Sequence, residues 1–226
     1  MAESEAKVKA KAKTEVATEA KIEVKTEVKT EAATETKTVG KKLLFNKLDV
    51  SEVKVTDPSL IRYVNLTPQI IPHSCGKFSR QEFNKANMMI VERLINGLMQ
   101  TENNTGKKEL AIRIVRDAFE LINKKTKRNP IEVLVEAIGN AGPREETVRL
   151  KYGGINVPKS VDTSPMRRVD SAIGFLAEAV LKSSRKSKKP ASAILADELI
   201  AASKGDAKCY SVGKKEEKER IAKSAR

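Results

Sequence analysis

Three groups of residues in this chain are of types that can do chemistry, and their spacing decides what each can do. The first is the sole histidine, His73, with the two cysteines Cys75 and Cys209. A cysteine nucleophile needs an imidazole base within hydrogen-bond reach and a third group to orient that base. His73 and Cys75 stand two positions apart in a turn-rich stretch, with no recognisable orienting Asp or Asn nearby. No catalytic pair is expected there. One histidine and no CxxC spacing support neither a zinc site nor a disulfide framework, so both cysteines read as reduced thiols. The second group, Thr105-Gly106-Lys107-Lys108, superficially suggests a phosphate loop. It lacks the first Gly of GxxxxGK[ST], carries Lys where Ser or Thr belongs, and follows a helix rather than a strand. It reads better as a basic helix N-terminus, where N–H groups, the helix dipole and two lysines favour a phosphate. The third group is Arg167-Arg168, in the first turn after Ser164-Pro165. Cations there oppose the helix dipole, an arrangement that makes sense with an anion beside them. No catalytic residue, metal or cofactor is expected.

The same cations fit a wider pattern. The formal charge is +14, yet residues 1–40 hold eight Lys and eight Glu and sum to zero. The whole excess, 36 basic against 22 acidic residues, falls on residues 41–226. A compact domain with that surplus repels itself unless a polyanion neutralises it, and nucleic acid is the default partner. Basic clusters recur where the backbone turns: Lys107/Lys108, Lys124–Arg128, Arg144, Arg149/Lys151, Arg167/Arg168 and Arg185–Lys189. Charge runs alone are often only solvated faces, but here the acidic residues that would balance them are too few. Aromatics are 4% of residues and Trp is absent. That argues against base-stacking platforms and for recognition of folded RNA through its shape and backbone. No apolar run reaches the roughly 18–20 residues that span a bilayer, and no signal or transit peptide pattern opens the chain. A soluble, cytoplasmic protein with no membrane partner is expected.

Periodicity supplies the elements that must position these residues. Residues 1–40, rich in Lys, Glu, Ala and Thr with KTEV and KTEA repeats, offer little to bury and read as a disordered arm. Residues 41–80 carry turn signals at Asp57-Pro58, Thr67-Pro68, Ile71-Pro72 and Gly76, and are expected to wrap over a surface rather than build a core. From Glu82 helical periodicity takes over, with Val91, Leu94, Ile95 and Leu98 on one face and Glu92, Arg93 and Asn96 opposite. A second helix aligns Leu110, Ile114, Val115, Ala118, Phe119 and Ile122, with Lys107, Lys108, Arg113 and Arg116 on its other side. Asn129-Pro130, with Glu132 at the third position, starts a third helix that is apolar on most sides and should lie centrally. Val148, Leu150 and Tyr152 then alternate with Thr147, Arg149 and Lys151 before Gly153-Gly154. A two-residue turn there pairs Tyr152 with Ile155 and Leu150 with Val157, giving a hairpin with one apolar and one basic face. Ser164-Pro165 starts a fourth helix with Val169, Ala172, Ile173, Leu176 and Val180 inward. Pro190 leads into a fifth that buries Ile194, Leu195 and Leu199 and closes at Gly205. The charged tail from Lys214 should be a surface helix that orders fully only against a partner. The fold class expected is mainly α: a single bundle of about six helices with one protruding β-hairpin and a disordered N-terminal arm.

Four segments carry a family resemblance. They are Pro72-His73-Ser74 through Ile90-Val91-Glu92-Arg93-Leu94, and Asn129-Pro130-Ile131 through Gly142-Pro143-Arg144-Glu145. The others are Val161-Asp162-Thr163-Ser164-Pro165-Met166-Arg167-Arg168, and Leu195-Ala196-Asp197-Glu198-Leu199 with the closing Ile221–Arg226. In order and spacing these resemble the S-seven family of small-subunit ribosomal proteins, in its archaeal and eukaryotic form, from about Leu43 to Arg226. The resemblance implies a structural, non-enzymatic role in translation: binding the 3′ major domain of small-subunit rRNA and organising assembly of the head. It implies a hairpin near the mRNA exit path and the E-site tRNA, and a neighbouring protein of the S-eleven type. The rRNA-binding residues expected on these grounds are Lys77, Arg80, Lys85, Lys107, Lys108, Arg113, Arg116, Arg144, Arg167, Arg168, Arg185, Lys186, Lys188 and Lys189. Arg149, Lys151, Tyr152, Gly153, Gly154 and Asn156 fall on the hairpin. The expected organisation is an arm over 1–40 and an rRNA-binding domain over 41–226, extended to residue 80 and helical with the hairpin beyond. A helical DNA-binding regulator is the competing reading, but it needs a recognition helix and usually a dimer interface, and neither has a clear candidate.

Overall fold

The computed structural model describes residues 43–100, 102 and 104–225. The arm expected over residues 1–40 lies outside the described residues. The described part opens with an irregular segment and two short 3-10 turns, Lys77–Ser79 and Asn84–Asn87. Then come α1 (Ile90–Leu98), α2 (Lys108–Thr126) and α3 (Pro130–Ala141). A hairpin of β1 (Glu145–Tyr152) and β2 (Ile155–Asp162) precedes α4 (Pro165–Ser184), α5 (Ala191–Ser203) and α6 (Tyr210–Ser224). None of these helices is long and apolar enough to cross a membrane.

α3 is the axis, because its sequence is apolar on every side but the stripe of Glu132, Glu136 and Asn140. Ile131, Leu134 and Ile138 are fully buried, and Pro130, Val133, Val135, Ala137 and Ala141 join them. Its start follows the expected chemistry: the Asn129 side chain accepts from the Ile131 amide at 3.1 Å, and Pro130 needs no donor partner in the first turn. Helices α2, α4 and α5 pack around it. α4 turns Val169, Ala172, Ile173, Leu176 and Val180 inward, and α5 turns in Ile194, Leu195 and Leu199, all as the periodicity predicts. α1 and α4 cross at Gly97, where a Cβ would stand 3.0 Å from Ile173 Cγ2. A side chain at 97 would require Ile173 to give way by a few tenths of an ångström.

The hairpin forms in the predicted register, Tyr152 opposite Ile155 and Leu150 opposite Val157. Gly153 and Gly154 both take positive φ, +55° and +90°, as a two-residue turn matching the strand twist requires. Pairing extends further down than the alternation shows, to Glu145 opposite Asp162. The apolar face is not covered: Tyr152 and Ile155 are 63% and 70% exposed.

Several expectations are corrected. Residues 41–80 do build core: Leu44, Val50, Leu60 and Val64 are buried among the helices' side chains. Single apolar anchors between turns leave no periodicity to read. The stretch from Glu82 holds only the 3-10 turn Asn84–Asn87, and α1 starts at Ile90. Glu92 and Arg93, expected on the outer face, are 1% and 7% exposed. In α2 the inward stripe uses Ala111, whereas Leu110 is 43% exposed. The charged tail is already folded against the chain. α6 begins at Tyr210, buries Val212 and Ala222, and its Glu219 accepts from the Arg144 amide at 2.9 Å.

Leu134→Ala should cost about 2–5 kcal/mol, because α3 is enclosed and the cavity cannot collapse. Val157→Ala on the open face of the hairpin should stay within about 0.5 kcal/mol of the parent. Urea unfolding followed by circular dichroism separates the two.

Candidate nucleic-acid interface

The cations divide into those committed within the protein and those that are not. Arg168 is the clearest of the first kind. It is 8% exposed, with Nη2 at 3.2 Å from Asp57 Oδ2 and Nη1 donating to Ser59 Oγ at 3.0 Å. The expectation that it meets RNA phosphate is therefore revised: its guanidinium faces inward and fastens the irregular segment to the first turn of α4. The Ser59 hydroxyl does most to hold the Asp57 carboxyl below its ordinary pKa; burial opposes this, and the Ser59 amide and Arg168 add to it.

Arg93 makes a second fastening. Its Nη1 donates to the Tyr63 carbonyl at 3.0 Å and its Nη2 lies 2.5 Å from Asp170 Oδ1. Asp170 also holds Lys85 at 2.5 Å. Glu92 makes a third, with Oε1 accepting from the Ser74 amide, the Ser74 hydroxyl and Lys108 Nζ, at 2.8, 3.0 and 2.8 Å. Burial pushes the Glu92 carboxyl up, but the hydrogen bonds from Lys108 and Ser74 outweigh it and hold its pKa below the ordinary value. Lys108 Nζ also lies 3.0 Å from His73 Nδ1, so this lysine stands over a carboxylate and an imidazole. Cys75 is exposed beside them, Cys209 is buried, and both are free thiols.

Sequence reasoning missed Glu92, Arg93, Asp57 and Asp170 because each stands at a position that local patterning makes ordinary. A signal did exist in α1: Glu92 and Arg93 sit side by side in a helix whose other residues are almost all apolar. So short a helix, closely wrapped, has no outer face to give them.

Other expected site residues remain outward. Arg167 is 64% exposed at its side chain and lies 2.5 Å from Glu146 Oε1, across from the hairpin base. Arg116 touches only its neighbour Asp117, at 3.5 Å. Lys77, Arg80, Lys107, Arg113, Arg144, Arg185, Lys186, Lys188 and Lys189 are exposed, and their side chains form no ion pair among the described residues. Arg149 and Lys151 are likewise exposed and unpaired on one face of the hairpin, with Pro158 and Asn156 opposite them in the register. Tyr152, Gly153, Gly154 and Asn156 form its exposed tip. The basic run at the end of α2 behaves differently. Lys125 pairs with Asp197 at 2.5 Å and Arg128 with Glu136 at 2.6 Å, tying α2 to α5 and to α3. An array of exposed guanidinium and ammonium groups on a helical body can neutralise phosphates.

Residues 60–226 match the family described as ribosomal protein S7p/S5e. The chain is 94% identical over 186 residues to the small ribosomal subunit protein uS7 of Methanoregula boonei, covering 82% of this chain and 91% of that protein. It is 69% identical over 185 residues to the protein of that name in Methanospirillum hungatei, covering 82% and 95%. With the counterpart in Archaeoglobus fulgidus it shares 55% over 184 residues, covering 81% and 95%.

Two measurements probe the inward charges. Arg168→Ala should destabilise the fold by about 1–3 kcal/mol, less than for a fully enclosed pair because Asp57 is partly exposed and keeps its Ser59 hydrogen bonds, and Asp57→Ala in the same chain should cost little more. For Glu92 the folded pKa lies below the unfolded one, so its contribution is complete above the ordinary carboxylate range and lost as pH falls through the folded value. Thermal melts across that acidic window should show a weaker pH dependence for Glu92→Gln than for the parent.

Proposed function

The chain belongs to the ribosomal protein S7p/S5e family, and from that premise we propose that it is a structural constituent of the small ribosomal subunit that holds rRNA by its backbone. It acts in translation, on cytoplasmic ribosomes, and does no chemistry of its own. The observation that carries the mode of binding is the set of exposed, unpaired cations: Lys77, Arg80, Lys107, Arg113, Arg144, Arg185, Lys186, Lys188 and Lys189 on the body, Arg149 and Lys151 on the hairpin. Unpaired cations give up no internal partner when they meet phosphates, and they release the RNA's counterions on doing so. Arg116, Arg167 and Lys85 join this set by exchanging an exposed carboxylate for a phosphate. Lys108 and Arg168 stay with their internal partners and act only by fixing the surface.

The RNA is the 3′ major domain of small-subunit rRNA, and binding it organises assembly of the head. The hairpin, with Tyr152, Gly153, Gly154 and Asn156 at its tip, reaches toward the mRNA exit path and the E-site tRNA. A small-subunit protein of the S-eleven type is its neighbour. Residues 1–40 are a separate extension whose balanced charge adds little to phosphate affinity. The placement of the cations at turns around an apolar bundle, and the resemblance of the hairpin and α4 segments, support this reading.

Binding of the full chain to a transcript of the 3′ major domain and to duplex DNA of equal length, across a salt series, tests it. The transcript should bind more tightly at every salt concentration. Neutralising about 6–10 phosphates should lower affinity by about 10³–10⁵ between roughly 50 and 200 mM salt. The triple change Lys186→Glu, Lys188→Glu and Lys189→Glu should weaken binding and reduce the salt slope by about one per lost phosphate contact. Lys21→Glu with Lys25→Glu in the extension should do much less. Equal affinity for both nucleic acids throughout would sink the proposal.

A further inference from the structure

Phe83 is out of keeping with the rest of the chain. Of five phenylalanines, Phe119 and Phe175 are buried and Phe45 and Phe78 are half-buried, whereas Phe83 is 74% exposed. It also stands at φ +60°, a left-handed conformation that bulky residues rarely adopt. The chain therefore bears a strained backbone to hold an aromatic ring out of its own core. The Phe83 carbonyl accepts from the Ala86 amide at 3.1 Å and starts the Asn84–Asn87 turn, which holds the backbone but not the ring.

The ring stands on a groove of about 590 Å³, within the size range of small-ligand sites. Its apolar wall is Phe78, Met88 and Met166, with Gln81 and Ser79 as uncharged hydrogen-bonding groups at its edge. Lys85 and Arg167 line it, and exposed Lys77 and Arg80 flank the lining residues Phe78–Gln81. Its acids are Glu82 and Asp170, and Asp170 is already held between Arg93 and Lys85. The surroundings thus offer an aromatic face, an amide and a hydroxyl; Lys85 and Arg167 are shared with Asp170 and Glu146, and the positive excess at the edge comes from unpaired Lys77 and Arg80. A flat heteroaromatic group with phosphates on either side matches all three; an apolar peptide segment has no use for the cations.

We propose that the groove beside Phe83 seats one unstacked nucleobase of the bound RNA, stacked on the Phe83 ring, with its flanking phosphates against Arg167 and Lys77/Arg80. This rests on the RNA-binding reading above and adds a single stacking position to a surface that otherwise meets only the backbone. Phe83 is a contact residue, and the strain at its φ fixes the ring toward the RNA.

The chain has no tryptophan, so Phe83→Trp places a sole indole reporter in the groove of the full-length protein. Saturation with the 3′ major domain transcript should quench its emission, while heparin, a polyanion without bases, should bind and leave the emission nearly unchanged. Phe83→Ala should weaken transcript binding by about 5- to 150-fold, the range for loss of one stacked base. Phe83→Gly should weaken it similarly with an unchanged or raised melting temperature, since glycine accepts this φ without strain; a ring needed for folding would lower it. Unchanged indole emission from the Phe83→Trp protein, in a complex that filter retention shows to be formed, overturns the proposal and leaves RNA binding intact. So does equal quenching by heparin. Failure of the parent protein to bind the transcript is the separate result that removes the RNA reading itself.

Discussion

Three charges buried at one seam hold this structure together. Residues 57–74 have almost no regular hydrogen bonding of their own, yet they lie against α1 and α4 because Arg168, Arg93 and Glu92 reach them. Each charge is enclosed and each has a partner, which a buried ion requires if it is to stay ionised. The seam is directional in a way that an apolar contact is not. A carboxylate at Asp57, a carbonyl at Tyr63 and an amide at Ser74 each admit one geometry, so the irregular segment has one path across the bundle. The groove beside Phe83 and the position of Lys108 both follow from that path.

The same seam explains how a strongly basic chain divides its charge. Lys85, Lys108, Arg93 and Arg168 are neutralised where the segment meets the helices. What remains outside sits near helix ends and along the outer face of α2, in the loop after α4 and on the hairpin. The body under those cations is aliphatic and built on α3, so the separations between the cations on the helices are set by packing, while Arg185–Lys189 are carried by a loop. Stiffness of that kind suits a surface that must match the folded shape of an RNA, whose phosphates are themselves held at fixed distances.

The regular elements were legible because they repeat. Two residues, Asn129-Pro130, predicted the start of α3, and Gly153-Gly154 predicted the register of the hairpin to the residue. Periodicity located the inward faces of α4 and α5 for the same reason. It failed where burial depends on something distant. Leu44, Val50, Leu60 and Val64 are core residues without a period, since each is a lone anchor between turns. Arg168 follows Arg167 and looks the same in the sequence, but it lies about 100° further around the helix and meets Asp57, 111 positions away. No local pattern carries that information. The candidate interface was therefore legible as a list of cations but not as a division into inward and outward ones.

The distances along the chain that make the seam hard to read also govern when it can close. Asp57 and Tyr63 await Arg168 and Arg93, and Arg93 in turn awaits Asp170, 77 residues further on. During synthesis the irregular segment leaves the ribosome well before α4 exists, so its apolar anchors are exposed for the interval needed to add roughly a hundred residues. At about 5–20 residues per second that is some 5–20 seconds. Helices α2 and α3 are neighbours in sequence and can begin to form meanwhile, although most of their packing waits for α5. The first part of the domain to be made is thus among the last to be fastened, and a nascent chain arrested before Asp170 would carry it loose.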